Sequence, residues 1–453
     1  MTWNSRITRT RLRNGLTALL LLSPWAAHAD PVEPVSPAAL NPPADTANTL
    51  AAANDYEAEI GRLESQFGAY DPQLGEQLLS LGLVYQRLGQ YPDAVQALNQ
   101  SLYIKRVNEG LQSLNQLPVL ERLIESNIAA ENWNELDQNY ELLLWVHRRN
   151  YGNGDPGLLP IIDKVGRWKL NAYSGHLLDT DPENTIEAAE SLYSSTVKIL
   201  EKQYGETDPR LIDSLYGKAL TNYRIAALVS KKSLGEFARP SIPRATVRYV
   251  QQCSVARGRT VCFMVPVTSY DTFESTLDQQ RARDMAIRQR ITFAGHSLKR
   301  IVEIHEAHPE IGAESQAKAL IHHGDWSMRY GDSTKAIDSY KRAYQLLVSS
   351  GAKQEDIDAY FGSPRQIPAL RLPLPAVEKQ QEQGKKPDYV VASMDVNSKG
   401  RSRNIEIVEE SNPENTRIRR EAREQLRESR YRPRFVNGEP VDTSGYKLTI
   451  VGQ

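Results

Sequence analysis

Cysteine is almost absent from this chain: Cys253 and Cys262 are the only two in 453 residues. That excludes a disulfide-dense scaffold, and nine residues of separation exclude the Cys-x-x-Cys of redox pairs. An excess of charge is missing too. Fifty-five basic residues stand against 56 acidic ones, for a net charge of -1, so no field favours nucleic acid or an acidic membrane surface. There is no Gly-x-Ser-x-Gly, no His-Glu-x-x-His and no glycine-rich phosphate loop, and nothing in the sequence selects a catalytic carboxylate pair. After the first thirty residues no segment is apolar enough to cross a membrane. What remains is an ordinary soluble composition, 40% hydrophobic and 25% charged, long enough for two or three domains.

The first thirty residues read as an address. Arg6, Arg9, Arg11 and Arg13 precede a short apolar core over Gly15–Leu22, with Leu19 to Leu22 in a row. Ser23-Pro24 breaks it, and Ala27-His28-Ala29 offers a small-x-small cleavage site before Asp30. That order predicts a secretory signal peptide over residues 1–29, the alternative being an uncleaved anchor. No cysteine near the cleavage point invites a lipid. The mature protein is expected to be exported, which in a Gram-negative cell means the periplasm, with residues 30–50 as a flexible linker. An oxidising compartment changes the reading of the two cysteines. Around them, Thr246–Val250 and Val261–Val267 favour strands, and Ala256–Arg259 is a turn. The spacing predicts an inserted hairpin over 240–270 with Cys253 opposite Cys262 and a disulfide between them, against unlinked buried thiols as the alternative.

One phrase recurs: FGAYDP at Phe67–Pro72, YGNGDP at Tyr151–Pro156, YGETDP at Tyr204–Pro209. An aromatic and a glycine suit a helix end, and Asp-Pro suits a helix start, so each phrase predicts a helix-to-helix junction. The first two junctions lie 84 residues apart, two periods of 42, and the third follows 53 later with an insertion near His176–Glu183. Between them, Leu78, Leu81, Gly82 and Tyr85 share one helical face, Leu88–Tyr91 turns, and Ala94, Val95, Leu98, Ser101 and Leu102 share a second. Leu320, Gly324, Ala336, Tyr340 and Ala343 repeat these offsets, with Gly to Ala twelve apart in both copies. Weaker copies pass through Leu136, Tyr140 and Leu143, through Gly166 and Leu192, and through Leu215, Ala219 and Tyr223, and His308-Pro309 opens a last repeat.

These residues resemble the tetratricopeptide repeat in its longer, 42-residue, kinesin-light-chain-like form. The resemblance implies a mainly α fold, a helical-hairpin solenoid over residues 51–350 whose grooved inner face binds a partner polypeptide. In that family the first helix of each repeat supplies the groove, which makes Gln77, Gln86, Arg87, Asn127, Lys164, Arg167, Asn222, Asp325 and Arg329 candidate partner-binding residues here.

From Gly351 the helical pattern fades, and prolines at 364, 368, 373 and 375 predict an extended linker over 351–386. Beyond it the order is strand (Tyr389–Val396), strand (Asn404–Glu409), helix (Thr416–Ser429), then strands at Arg434–Val436 and Tyr446–Val451. With Gly400, Glu410-Ser411, Tyr431-Arg432-Pro433 and Gly438-Glu439-Pro440-Val441, residues 387–453 resemble the C-terminal domain of TonB. That resemblance implies a small α+β domain taking a partner strand on its edge. A cleaved leader and a repeat array replace the membrane helix and spacer of a true transducer, so a docking module or a homodimer contact is expected rather than energy transduction, which stays as an accessory reading. The arginines of residues 417–434 interleave with Glu421, Glu424 and Glu428, a solvated mixed-charge face. His296, His305, His308, His322 and His323 cluster near Glu303 and Glu306 as metal ligands do, but His308 stands at a helix start and His323 at a repeat core position, so no metal and no cofactor are expected. The expectation is a non-enzymatic periplasmic scaffold with envelope or outer-membrane protein partners and no nucleic acid. A hydrolase with its site in the 231–278 insertion is the alternative of a different class.

Overall fold

The computed structural model describes residues 46–233, 244–256, 259–271, 276–367 and 388–451. The leader over 1–29, most of the 30–50 linker and the proline-rich stretch after Ile367 lie outside the described residues.

Helix α1 (Thr46–Phe67) leads into a chain of hairpins: α2 (Pro72–Arg87) with α3 (Tyr91–Glu109), α4 (Leu117–Ala129) with α5 (Trp133–Tyr151), and α6 (Leu159–Gly175) with α7 (Pro182–Tyr204). Next come α8 (Leu211–Lys231), strands β1 (Arg244–Ala256) and β2 (Arg259–Asp271), the long α9 (Thr276–Ala307), α10 (Ala313–Tyr330), α11 (Ser333–Ser349) and α12 (Gln354–Phe361). The coarse expectation, a mainly α stack of helical hairpins, is what the structure contains.

The junction phrases work as their chemistry dictates. Asp71 caps α2 by accepting the Gln73 amide at 2.8 Å, and Asp155 takes the Gly157 amide at 2.7 Å. Gly68, Gly152 and Gly205 adopt φ of +91°, +85° and +96°, where a side chain would be strained. The structure also supplies the phrase missing between the first two, since Gly110 sits at φ +88° and Ser113 Oγ accepts the Asn115 amide at 3.1 Å. Asp71, Ser113 and Asp155 are thus 42 residues apart in turn, the middle junction written with serine and leucine instead of Asp-Pro. A side-chain bond shares that period. Asn108 Nδ2 donates to the Tyr70 carbonyl at 2.8 Å, and Asn150 Nδ2 donates to the Gln112 carbonyl at 2.9 Å, each tying a second helix back to the preceding junction.

Close approach inside a hairpin rests on glycine. A Cβ on Gly82 would meet Leu98 Cγ at 2.6 Å, and one on Gly324 would meet Tyr340 Cε1 at 2.5 Å. Successive cores share helices. Helix α3 gives Ala97 and Ile104 to the first core but Leu98 and Leu102 to the next, and α7 gives Leu192 to the second and Val197 and Leu200 to the third. Each hairpin is therefore stabilised by its neighbours.

The described strands of the insertion pair antiparallel, Arg244 opposite Asp271 through to Ala256 opposite Arg259. Cys253 and Cys262 stand opposite each other at disulfide distance, their Cα atoms 4.0 Å apart. Val247, Tyr249, Val250, Met264 and Val267 are exposed on this ribbon.

Where an extended linker is expected after Gly351, α12 forms and buries Ile357 and Phe361 against the last hairpin. The prolines begin only beyond its end, so nothing opposes a two-turn helix there. Strand β3 (Arg365–Ile367) follows. The C-terminal region holds β4 (Tyr389–Val396), β5 (Ser402–Glu410), α13 (Thr416–Glu428), β6 (Arg430–Arg432), β7 (Arg434–Val436), β8 (Glu439–Val441) and β9 (Thr443–Val451). Strand β4 lies between β5 and β9, β3 pairs with β6, and β7 pairs with β8 through an Asn437-Gly438 turn with both residues at positive φ. Ile418, Ala422 and Leu426 of α13 cover the sheet.

Candidate functional site

The first-helix face of the stack divides into three parts. Gln77, Arg87, Lys164 and Arg167 stay wholly or partly at the surface. Arg87 and Arg167 are exposed, Arg167 paired with Asp163 one turn away, and the Lys164 ammonium lies 6.0 Å from the centre of the Tyr140 ring. This is the open stretch.

Three candidates are corrected by burial. Gln86 is enclosed, with its Nε2 donating to Ser126 Oγ at 2.7 Å and to the Arg122 carbonyl at 2.9 Å, so it stitches α2 to α4. Asn127 is buried and its Oδ1 accepts from Asn132 at 3.2 Å. Asn222 is fully buried, donating to the Lys218 carbonyl at 2.9 Å and to Glu190 at 3.3 Å. An amide enclosed between two helices, bonded within its own helix as Asn222 is or across to the next as Gln86 is, falls at the same helical period as one facing a partner, and the sequence does not distinguish them.

Asp325 and Arg329 form the third part, and the chain's own tail takes them. Arg432 of β6 grips Asp325 with two bonds, Nη2 to Oδ2 at 2.6 Å and Nε to Oδ1 at 3.0 Å. Their side chains are 2% and 3% exposed. Tyr340 OH donates to the same Asp325 Oδ1 at 2.7 Å, and Arg432 Nη1 donates to the Tyr360 carbonyl at 3.1 Å. Burial works to lower the Arg432 pKa, but the Asp325 carboxylate outweighs it and holds the guanidinium charged. Burial, with Asp325 adding to it, pushes the Tyr340 phenol far up, which keeps it a proton donor. Phe435 packs on Phe361 at 5.0 Å and stacks on Tyr344 at 6.1 Å, and Lys341 pairs with Glu439 at 2.6 Å. Arg329 Nη1 donates to the Glu428 carbonyl at 2.6 Å.

The residues that carried the C-terminal resemblance gather at this seam. Gly400 sits at φ +71°, where a Cβ would run into the Tyr431 carbonyl and crowd Met328 of α10. Gly438, at φ +84°, faces Tyr344 of α11. Tyr431 is fully buried within the tail core, Pro433 is buried beside it, and Pro440 lies opposite Phe435 in the β7–β8 register. Sequence reasoning missed Arg432 as the central contact. The sequence sets Arg432 in an alternating run with Arg430 and Arg434, between Tyr431 and Pro433, and nothing in that run marks which arginine is buried.

Among the described residues no three His, Cys, Asp or Glu side chains group so as to hold a metal, and no helix is long and apolar enough to cross a membrane. His308 pairs with Glu310 at 2.8 Å, His322 lies against Tyr216, and His323 faces Ser339. A depression of about 330 Å³ between α10 and α11 is lined by Gln316, Leu320, Arg342, Gln345, Leu346 and Ser349, without converging acid and base groups.

No protein-family model and no curated protein matches the chain. Solved structures do. The nearly identical TPR-like repeats of a Podosopora anserina kinesin light chain align at 13% identity and a TM-score of 0.33, covering 62% of this chain and 99% of that one. BtubC (BKLC) from P. vanneervenii aligns at 13% identity and 0.32, covering 69% and 94%. A single-residue variant of the Podosopora anserina repeats gives 14% identity and 0.32, covering 61% and 96%.

Proposed function

We propose that this chain is an exported, periplasmic, non-enzymatic scaffold. The helical stack takes a partner polypeptide along its first-helix face, and the C-terminal domain, TonB-like in its strand and helix order, offers a sheet edge to a second strand. One observation carries the reading: the first helices α2 and α6 leave Gln77, Arg87, Lys164 and Arg167 at the surface, while the far end of the same face is closed by the chain's own tail. A row of exposed side chains on a rigid stack suits an extended ligand. The edge reading is supported by the sheet order, in which β5 and β9 flank β4 and carry no further strand among the described residues. The export reading rests on the arginine-rich start, the leucine run and Ala27-His28-Ala29.

The test is affinity capture from envelope extract with the mature chain. Defined proteins recovered by the native chain and lost with the triple variant Arg87→Glu, Lys164→Glu, Arg167→Glu support the stack as the binding face. Equal recovery by that variant removes it. N-terminal sequencing of protein from the periplasmic fraction should begin at Asp30; a start at Met1 in the membrane fraction would replace export with anchoring.

A further inference from the structure

Three arginines converge where the stack meets the tail, and among the described residues no carboxylate answers them. The Tyr431 amide donates to the Gly400 carbonyl at 3.0 Å, which sets the next residue of one segment, Arg401, beside the preceding residue of the other, Arg430. Arg329 reaches the same place from α10, bonding the Glu428 carbonyl two residues before Arg430. The acceptors these side chains find are neutral: the Glu428 carbonyl for Arg329, which also lies beside the Tyr330 ring, and the Ser429 carbonyl for Arg430 at 3.3 Å. Arg329 Nε is buried without a hydrogen-bond partner. Burial first, and then the like charges of Arg401 and Arg329, pull the Arg430 pKa below its ordinary value. Each of these groups would be stabilised by an anion, and the described chain does not furnish one.

Arginine, with its planar fork, pairs two-point with carboxylates. Glu428, the acid closest in sequence, contributes its carbonyl to the seam while the residue remains exposed.

We propose that Arg329, Arg401 and Arg430 form a carboxylate site that receives an acidic segment of the partner polypeptide where the first-helix face runs up to the tail domain. This rests on the scaffold reading and adds the partner's chemistry and the place where it is read.

The probe is a fluorescein-labelled octaglutamate peptide, titrated into the full mature chain and followed by anisotropy. The native chain should bind it, and the double variant Arg401→Gln, Arg430→Gln should bind at least about tenfold more weakly with an unchanged melting temperature. The Arg401→Lys, Arg430→Lys form keeps the charge but loses the two-point geometry, and it should fall between the two. Arg62→Gln with Lys299→Gln, exposed cations outside the binding face and the seam, should bind like the native chain. No binding by the native chain, or equal binding by the double variant, overturns the site. Displacement by inorganic phosphate as readily as by unlabelled octaglutamate overturns its assignment to carboxylates. If octaglutamate fails while envelope partners are still captured in the Arg87-dependent way, the site alone falls and the scaffold stands.

Discussion

Asp325 and Arg432 are 107 residues apart in sequence and meet with almost no exposure to solvent. A buried pair of this kind is held less by its own attraction than by the cost of breaking it. Asp325→Ala leaves a guanidinium buried without its carboxylate and should destabilise the protein by about 3–5 kcal/mol in urea unfolding, little changed by added salt. Replacing both partners with leucine and methionine should recover most of that loss, and a double mutant as damaged as the single would contradict the pairing argument. Gly324 lies against the same cluster. Tyr340 is fixed by its bond to Asp325 and has no room to retreat, so Gly324→Ala should cost about 1–3 kcal/mol. His323, next to them, titrates in the opposite sense to a salt-bridged histidine. Burial, Lys299 and Arg342 lower its pKa from 6.5, with Lys335 adding to them and Glu303 opposing. The unfolded chain therefore binds the proton more readily, and stability should fall as pH drops below about 6.5 and level off below the folded pKa. His323→Gln should flatten that slope in melts taken from pH 7.5 to 5, and an unchanged slope would assign it to other groups.

At the scale of elements, the junctions show what is legible in the letters. Asp-Pro and the preceding glycine announce their geometry because capping and positive φ leave few residue choices, so Gly68, Asp71, Gly152 and Asp155 can be placed from sequence. Ser113 does the same work with a weaker signature, and its junction is easily passed over. Asn108 and Asn150 are invisible because an exposed asparagine and one bonded to a neighbouring junction are spelled alike. Asn108→Ala should cost about 1 kcal/mol, read by denaturant melts. The two-stranded ribbon gives the contrasting case. Strand preference and cysteine spacing are local signals, while its exposed valines, tyrosine and methionine depend on tertiary context that the letters do not hold. Two strands alone are marginal in water, so reducing the Cys253–Cys262 pair should quicken proteolytic nicking within 244–271 and leave the melting temperature of the helical stack unmoved. A lowered melting point for the whole chain would show that the ribbon supports the stack.

For the molecule as a whole, the expected groove is shorter than the repeat count suggests. Long-range pairing decides this, since which face of the tail meets which face of α10 is a matter of complementarity that periodicity does not record. Phe435 and Ile367 belong to the same core as Leu320, Tyr340 and Phe361, so tail and last hairpin share one apolar interior. Calorimetry should show the tail melting together with the last hairpin, and a separate low-temperature transition for residues 388–451 would refute the shared core. The seam also has a mechanical side. Should a partner strand add to the edge of β9 and be pulled, the tension would leave the three-stranded sheet along the chain to β6 and β7 and enter the helical stack at the seam those strands share with α10, α11 and α12, where Arg432 on Asp325 and Phe435 on Phe361 would together pass a tug on the tail to the coil of helices.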